Sequence, residues 1–512
     1  MSSFPWLTVL GAVPLVGSAV VALLPKGLAG RAREIALGFA LVTLGVAIAA
    51  ATQFQTSGGS GQFQLVEKHS WIPEFGVSYA LGVDGIALVL ILMSVVLVPV
   101  CLLAAWNDVP ETGRRQQGYF ALMLVLEMFI IGVFSSTDVF LFYVFFEAML
   151  VPVYFLIGSF GGEQRHYAAV KFLLYSLVGG LVMLVAVIAL YLYGPGGSEG
   201  FLIERLTGLQ IDPTAERLMF LGFFFAFAVK APMWPVHTWL PDAATEAKPA
   251  TAVLLVGILD KVGTFGMIRF CLQLFPDASR WATPVIIVLA VISVIYGALL
   301  AIGQTDMMRL IAYTSVSHFG FMVLGIFAMT TVGGYGSTLY MVNHGFTTAA
   351  LFIIAGMLVQ RRGSKFIPDY TGWQRITPVI AGVFLLAGMS TLALPGLNSF
   401  VSEFLVLVGT FERYKAAAII ATLGIVLAAL YILLWYMRTM TGPKPEQYAG
   451  TKDMSHRERW VVAPLVIVML GLGVYPKPVL DVIRPAVNTT LQHVGVTDPP
   501  PSIGTTAEGS TK

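Results

Sequence analysis

Apolar runs long enough to cross a bilayer start near residues 7, 34, 82, 119, 137, 166, 217, 249, 281, 307, 337, 376, 416 and 458, with short polar loops between them. A membrane helix needs about 20 largely apolar residues to span the hydrocarbon. The pattern therefore predicts an all-α polytopic membrane protein of about fourteen transmembrane helices. Two runs are interrupted. The helix starting near 217 meets Pro232 and Pro235, and the helix starting near 376 meets Pro395 and Gly396 in LPGLNSF. Proline removes a backbone donor and clashes with the preceding turn, so each interruption predicts a broken helix.

The two breaks lie at matching depth. Measured from the helix starts near 119 and 281, they fall 113 and 114 residues in (232 − 119 and 395 − 281). Two five-helix units follow, and an odd number of helices turns the second unit upside down relative to the first. Inverted repeats with discontinuous helices are a transporter signature, and the breaks point to the ion path. The expected organisation is a three-helix segment over 1–118, a first repeat over 119–275 and an inverted second repeat over 281–440. A C-terminal helix and a Pro/Gly/Ser/Thr-rich disordered tail fill 441–512. The first apolar run has no basic stretch before it and reads as a membrane helix rather than a signal peptide.

Composition rules out the soluble classes. The chain is 57% hydrophobic and 11% charged, less than half the charged share of about 25% in a soluble domain. Odd-numbered loops carry most of the Lys and Arg, among them Arg114, Arg115, Arg361, Arg362 and Lys365; even-numbered loops carry few, such as Lys68, Arg205 and Arg280. The positive-inside rule then puts the odd loops in the cytoplasm and both termini on the outer, periplasmic side of a bacterial inner membrane. The net charge of +2 and the lack of a basic patch give no reason to expect nucleic acid. Cys101 and Cys271 are too few for an iron–sulfur cluster, which takes about four protein ligands. With no GxGxxG and no P-loop either, no metal and no cofactor of its own is expected.

Ionisable residues inside the apolar runs carry the candidate chemistry. A charge at mid-membrane costs about 2.5–3.5 kcal/mol even on the lenient insertion scale. Glu147, Lys230, Lys261 and Glu403 all occupy such positions; Asp260 adjoins Lys261, and Glu127 and Lys171 lie within other runs. Two polar stripes join them, Thr314, Ser317 and His318 on one predicted helix and His344, Thr347 and Thr348 on the next. Burial favours a neutral lysine and a nearby carboxylate favours the charged one, so a lysine with a movable carboxylate can load and release a proton. A break beside Lys230 would free backbone groups to bind water along such a path. Each residue also has a plainer reading: Glu147 with Lys230 as a static lock, His318 and His344 as hydrogen-bonded packing, Asp84 and Asp242 as fixtures of helix ends, and Arg269 as a snorkelling side chain. A lock needs two charges, whereas this set spreads over successive helices and both repeats.

The run from Phe224 through Phe270, FFAFAVKAPMWPVHTWLPDAATEAKPATAVLLVGILDKVGTFGMIRF, closely resembles the antiporter-like membrane subunits of respiratory NADH-quinone oxidoreductase, complex I. FFEAMLVPVYFLIG around Glu147, LGVDGIAL around Asp84 and LALPGLNSFVSEF around Glu403 resemble the M-type branch in particular. The resemblance covers essentially the whole chain. It implies a fourteen-helix fold and proton pumping driven by redox chemistry in partner subunits, which would hold the FMN, iron–sulfur clusters and quinone. It also implies a Glu147–Lys230 coupling pair, Lys261 as central relay, His318 and His344 along a hydrophilic axis, and Glu403 as terminal group. Glu403 stands where the N-type usually has lysine, and the sequence leaves no room for the lateral helix of the L-type; both of these would be its neighbours in the membrane. Lys248 in AKPA departs from the family's usual run and adds a positive charge to an expected cytoplasmic loop. A subunit of a multisubunit sodium/proton antiporter, with similar broken helices, is the competing reading.

Overall fold

The computed structural model describes residues 4–56, 61–109 and 113–500. The chain is mostly helical. Its principal helices are α1 (Trp6–Ala22), α2 (Ala32–Thr52), α3 (Gly85–Ala104), α4 (Arg114–Ser135), α5 (Val139–Phe160), α6 (Arg165–Tyr193), α7 (Pro213–Lys230), α8 (Trp239–Glu246), α9 (Pro249–Leu272), α10 (Pro276–Ile302), α11 (Met307–Phe327), α12 (Thr331–Arg362), α13 (Pro378–Thr391), α14 (Asn398–Arg413), α15 (Lys415–Met440), α16 (His456–Val474) and α17 (Lys477–Val494). Among the described residues, ten helices are long and apolar enough to cross a membrane, or eleven if the bent pair α16–α17 is one span.

Short polar residues set the helix starts. The Asp84, Asp138 and Asp306 carboxylates accept backbone N–H bonds in the first turns of α3, α5 and α11, satisfying donors that a helix start otherwise leaves open. Ser455 and Glu458 form a reciprocal capping box at the start of α16. Within α5 the helix is interrupted at Met149, three residues before Pro152. That is where a proline ring crowds the preceding turn.

Both expected breaks are present. Pro232 and Pro235 lie between α7 and α8, and Pro395 and Gly396 lie between α13 and α14. Gly396 has φ +95°, a left-handed conformation that favours glycine. In chain order the first break follows α4, α5 and α6 and is followed by α9, and the second follows α10, α11 and α12 and is followed by α15.

Two elements differ from the expectation. β1 (Gln64–Ile72) and β2 (Val77–Val83) form an antiparallel hairpin, pairing Glu67 with Leu81 and His69 with Tyr79, so the chain is not wholly α-helical. The Glu67 carboxylate accepts from the Leu7 amide at 2.6 Å and caps α1 from outside. Beyond α16 the chain bends by 72° into α17, whose Ile483, Val487, Leu491 and Val494 are buried against α3, α10 and α12. The disordered tail expected over the last residues lies, from 501 onward, outside the described residues.

Burial separates centre from rim. α9 is wholly buried, and α3, α11 and α12 nearly so, while α2, α6, α10 and α15 leave most of their residues uncovered. The uncovered residues are apolar, such as Val42 and Ile48 on α2, Val185 and Ile188 on α6, and Leu423 and Val426 on α15. An apolar rim around a core holding charged residues inverts the soluble arrangement and suits hydrocarbon.

Candidate functional site

Six of the expected relay residues fall into two stretches. The first centres on Lys230, the last residue of α7. Its ammonium is buried without a hydrogen-bond partner and lies 5.2 Å from the Phe146 ring centre and 5.4 Å from that of Phe172. Glu147 is next to Phe146 on α5. Its Oε1 also lacks a partner and packs on Gly180 of α6, where any side chain would collide with the carboxylate. Glu147 and Lys230 share this region without forming an ion pair. At the break the Trp239 indole donates to the freed Val229 carbonyl at 2.8 Å.

The second stretch is a chain of contacts. Lys261 Nζ lies 2.6 Å from His344 Nδ1 and donates to the Val256 carbonyl at 2.8 Å. Local winding makes that carbonyl reachable, since Val253–Leu259 and Met267–Leu272 are π-helical on either side of Lys261. Such widened turns recur at functional sites. The His344 and His318 rings meet edge to face with centres 5.3 Å apart. His318 Nε2 lies 3.2 Å from the Tyr431 hydroxyl, and its ring centre is 5.8 Å from that of Tyr340. The Tyr340 hydroxyl donates to Glu403 Oε2 at 2.8 Å. Lys261, His344, His318, Tyr340 and Glu403 therefore form one buried polar file from α9 through α12 and α11 to α14.

The other expected residues have separate places. Thr347 joins Ser390, Asn398 and Ser399 in a polar knot at the second break, where Asn343 also donates to the Asn398 carbonyl at 2.7 Å. Thr348 is buried beside it on α12. Thr314 donates within its own helix to Ile311, and Ser317 donates to Val294 of α10, so both hydroxyls are taken by backbone. Glu127 on α4 is buried with both carboxyl oxygens unpartnered and no hydrogen bond into the file. Asp260 is likewise buried and unpartnered.

Lys171 pairs with Asp242 at 2.7 Å, and Asp242 also binds Arg309 at 2.7 Å, so this carboxylate ties α6, α8 and α11 together. Arg269 does not snorkel. It is buried, pairs with Asp84 at 2.7 Å and stacks over Phe63 and Phe265, because the segment leading into β1 lies over the end of α9, where Gln62 also bonds Gln273. Asp84 holds a helix start, as expected, and this ion pair as well. Tyr340, Tyr431 and Asn343 were not among the expected site residues. Tyr340 lies four residues before His344 and so shares its face; Tyr431 sits in an apolar run, ALYILLWY, with nothing local to mark it. Among the described residues, no group of three or more His, Cys, Asp or Glu is placed to hold a metal ion.

A family model for the membrane segment of NADH:quinone oxidoreductase and Mrp antiporters matches residues 136–428, and one for the amino terminus of NADH-ubiquinone oxidoreductase chain 4 matches residues 48–133. The chain is 52% identical to NADH-quinone oxidoreductase subunit M of Mycobacterium tuberculosis (strain ATCC 25618 / H37Rv), over 98% of its length and 97% of that protein's. The chain belongs to the subunit M family of NADH-quinone oxidoreductase. As a member it is an antiporter-like, proton-translocating membrane subunit of that respiratory complex. The subunit M of Rhodobacter capsulatus is 39% identical over 95% of this chain and 96% of its own. Among solved structures, respiratory complex I from Thermus thermophilus contains a chain that superposes with a TM-score of 0.87 at 30% identity, covering 96% of this chain and all of that one. The Mrp complex from Dietzia sp. DQ12-45-1b contains one with a TM-score of 0.83 at 23% identity, covering 96% of this chain and 100% of its own. That second likeness is one of fold, and the antiporter reading is the less supported of the two.

Proposed function

We propose that this subunit M moves protons through Glu147, Lys230, Lys261, His344, His318 and Glu403, with Tyr340 and Tyr431 inserted between His318 and Glu403. The observation that carries the reading is the buried file from Lys261 to Glu403. Charged and polar side chains at this depth are costly, and a file of them spanning four helices serves ion movement better than packing.

Quinone reduction in partner subunits would change the Glu147–Lys230 separation. Drawing the carboxylate toward Lys230 favours the ammonium, and withdrawing it favours release of the proton toward Lys261. Lys261 then donates to His344 Nδ1, and the proton passes by way of His318 and a tyrosine to Glu403. Flavin, iron–sulfur clusters and quinone belong to the partners in this reading, and L-type and N-type chains flank this one in the membrane.

Fourteen crossings follow if α1 and the broken pairs α7/α8 and α13/α14 each add one to the eleven (11 + 3). The series over 119–275 and 281–440 are then inverted repeats between a three-helix segment over 1–118 and a terminal segment over 441–512, with both termini outside. The matching position of the two breaks supports this arrangement. Replacing Lys230 by Ala tests the relay. The assembled complex should lose coupled pumping by about a hundredfold or more, read as proton uptake per NADH oxidised in sealed vesicles. Normal pumping in an assembled K230A complex would remove Lys230 from the mechanism.

A further inference from the structure

Asp260 is a buried carboxylate that the relay as drawn does not use. It is fully buried, and neither carboxyl oxygen has a hydrogen-bond partner. An unpaired charge there costs several kcal/mol, so the residue calls for a role.

Its neighbour Lys261 does not supply one. In the structure Lys261 Nζ is committed to the Val256 carbonyl and to His344, and is freed only when it has given up its proton. The face Asp260 occupies is set by Gly263, three residues on and therefore on the same side of α9. Gly263 is pressed against the end of α7: a Cβ there would lie 2.5 Å from the Ala231 nitrogen and 2.6 Å from the Phe227 carbonyl oxygen. Gly266, a further three residues on, packs against the Phe227 ring. Asp260 thus lies one turn from the close approach of α9 to the end of α7 at Lys230, with Gly257, three residues before it, against the Gly345 carbonyl of α12. The charges of both Lys261 and Lys230 act on Asp260.

We infer that Asp260 carries the proton between Lys230 and Lys261. This rests on the relay reading above and deepens it. The Lys230 ammonium gives a proton to the Asp260 carboxylate, leaving a neutral amine and a carboxylic acid. Lys261 has meanwhile passed its own proton to His344 Nδ1. The Asp260 acid then protonates the neutral Lys261 amine and returns to the carboxylate. No charge is created or lost in the sequence. An anion between two cations also lowers the cost of holding both lysines in hydrocarbon, so one residue serves transfer and solvation together.

The test uses the whole complex in sealed vesicles, comparing Asp260→Asn and Asp260→Glu with the unaltered chain. Assembly is read on native gels, electron transfer as NADH oxidation, and pumping as proton uptake per NADH across a range of pH. The asparagine variant should assemble and lose coupled pumping at least about tenfold, since a carrier of the proton is removed. The glutamate variant should pump more slowly, with its pH–rate profile displaced toward higher pH, because a glutamate ordinarily holds its proton about 0.4 units higher than an aspartate. Unaltered stoichiometry and pH profile in either variant would overturn the proposal. Should the asparagine variant fail to assemble, the glutamate profile decides alone. Normal pumping in D260N beside inactive K230A would sink the role of Asp260 and leave the relay standing. Normal pumping in K230A would sink both.

Discussion

Glu403 ends the polar file, and what holds it there is a single hydroxyl. Tyr340 donates to its Oε2 at 2.8 Å, and the two are buried together. Tyr340→Phe keeps the ring and removes that donor, leaving a buried carboxyl oxygen unsatisfied at about 1–3 kcal/mol. Because the Tyr340 ring also lies beside that of His318, the loss should appear in transfer as well as stability. Coupled pumping is expected to fall on the order of tenfold to a hundredfold, measured as proton uptake per NADH, with the assembled complex still visible on a native gel. The residues at this scale were unequally legible. Glu147, Lys230, Lys261 and Glu403 stand out because charge inside an apolar run is conspicuous. Tyr340 and Tyr431 do not, since tyrosine is ordinary in membrane helices and only folding brings them beside His318. Arg269 misled for a related reason: its place near a helix end suggested escape to the surface, and nothing in the sequence says that Gln62 and Phe63, far off in the chain, cover that end.

The broken helices were readable because proline and glycine act locally, through donors removed and φ angles restricted or allowed. The hairpin and α17 were not read. β1 and β2 occupy a stretch too polar for a span, and their pairing is non-local. α17 is amphipathic, with Ile483, Val487, Leu491 and Val494 at helical spacing opposite Lys477, Asp481 and Arg484; a search for continuous apolar runs passes over it, although its period was present. The crossing of α7 and α9 is the element contact on which the relay depends, and Gly263 allows it. Gly263→Ala places a methyl within 2.5 Å of the Ala231 nitrogen, and overpacking of this kind costs about 1–3 kcal/mol. The expected result is a lower melting temperature of the assembled complex and weaker pumping, since the spacing of Lys230 and Lys261 changes together with the packing. An unchanged melting temperature and pumping rate would show that the helices can part there freely.

At the scale of the whole molecule, fold and function separate. A chain of the Mrp complex shares this architecture at 23% identity, and a shared fold leaves the driving reaction undecided; what distinguishes this chain is its 52% identity with subunit M across nearly its full length. The architecture must hold charges in hydrocarbon while allowing some to move, and the fixed ones are identifiable by their partners. Asp84 and Arg269 are the clearest case, buried and paired at 2.7 Å between the start of α3 and the end of α9, whereas Lys230 and Asp260 are buried and unpaired. Removing one member of a buried pair costs about 3–5 kcal/mol, because the other charge is stranded, while replacing both is often neutral. Arg269→Met alone should therefore deplete the assembled complex on native gels. Adding Asp84→Asn, which keeps an oxygen to cap α3, should restore most of it, and pumping by the restored complex should be near normal because neither residue belongs to the file. If the double variant assembles and fails to pump, the pair transmits motion between α3 and α9, and the division into fixed and movable charges has to be redrawn.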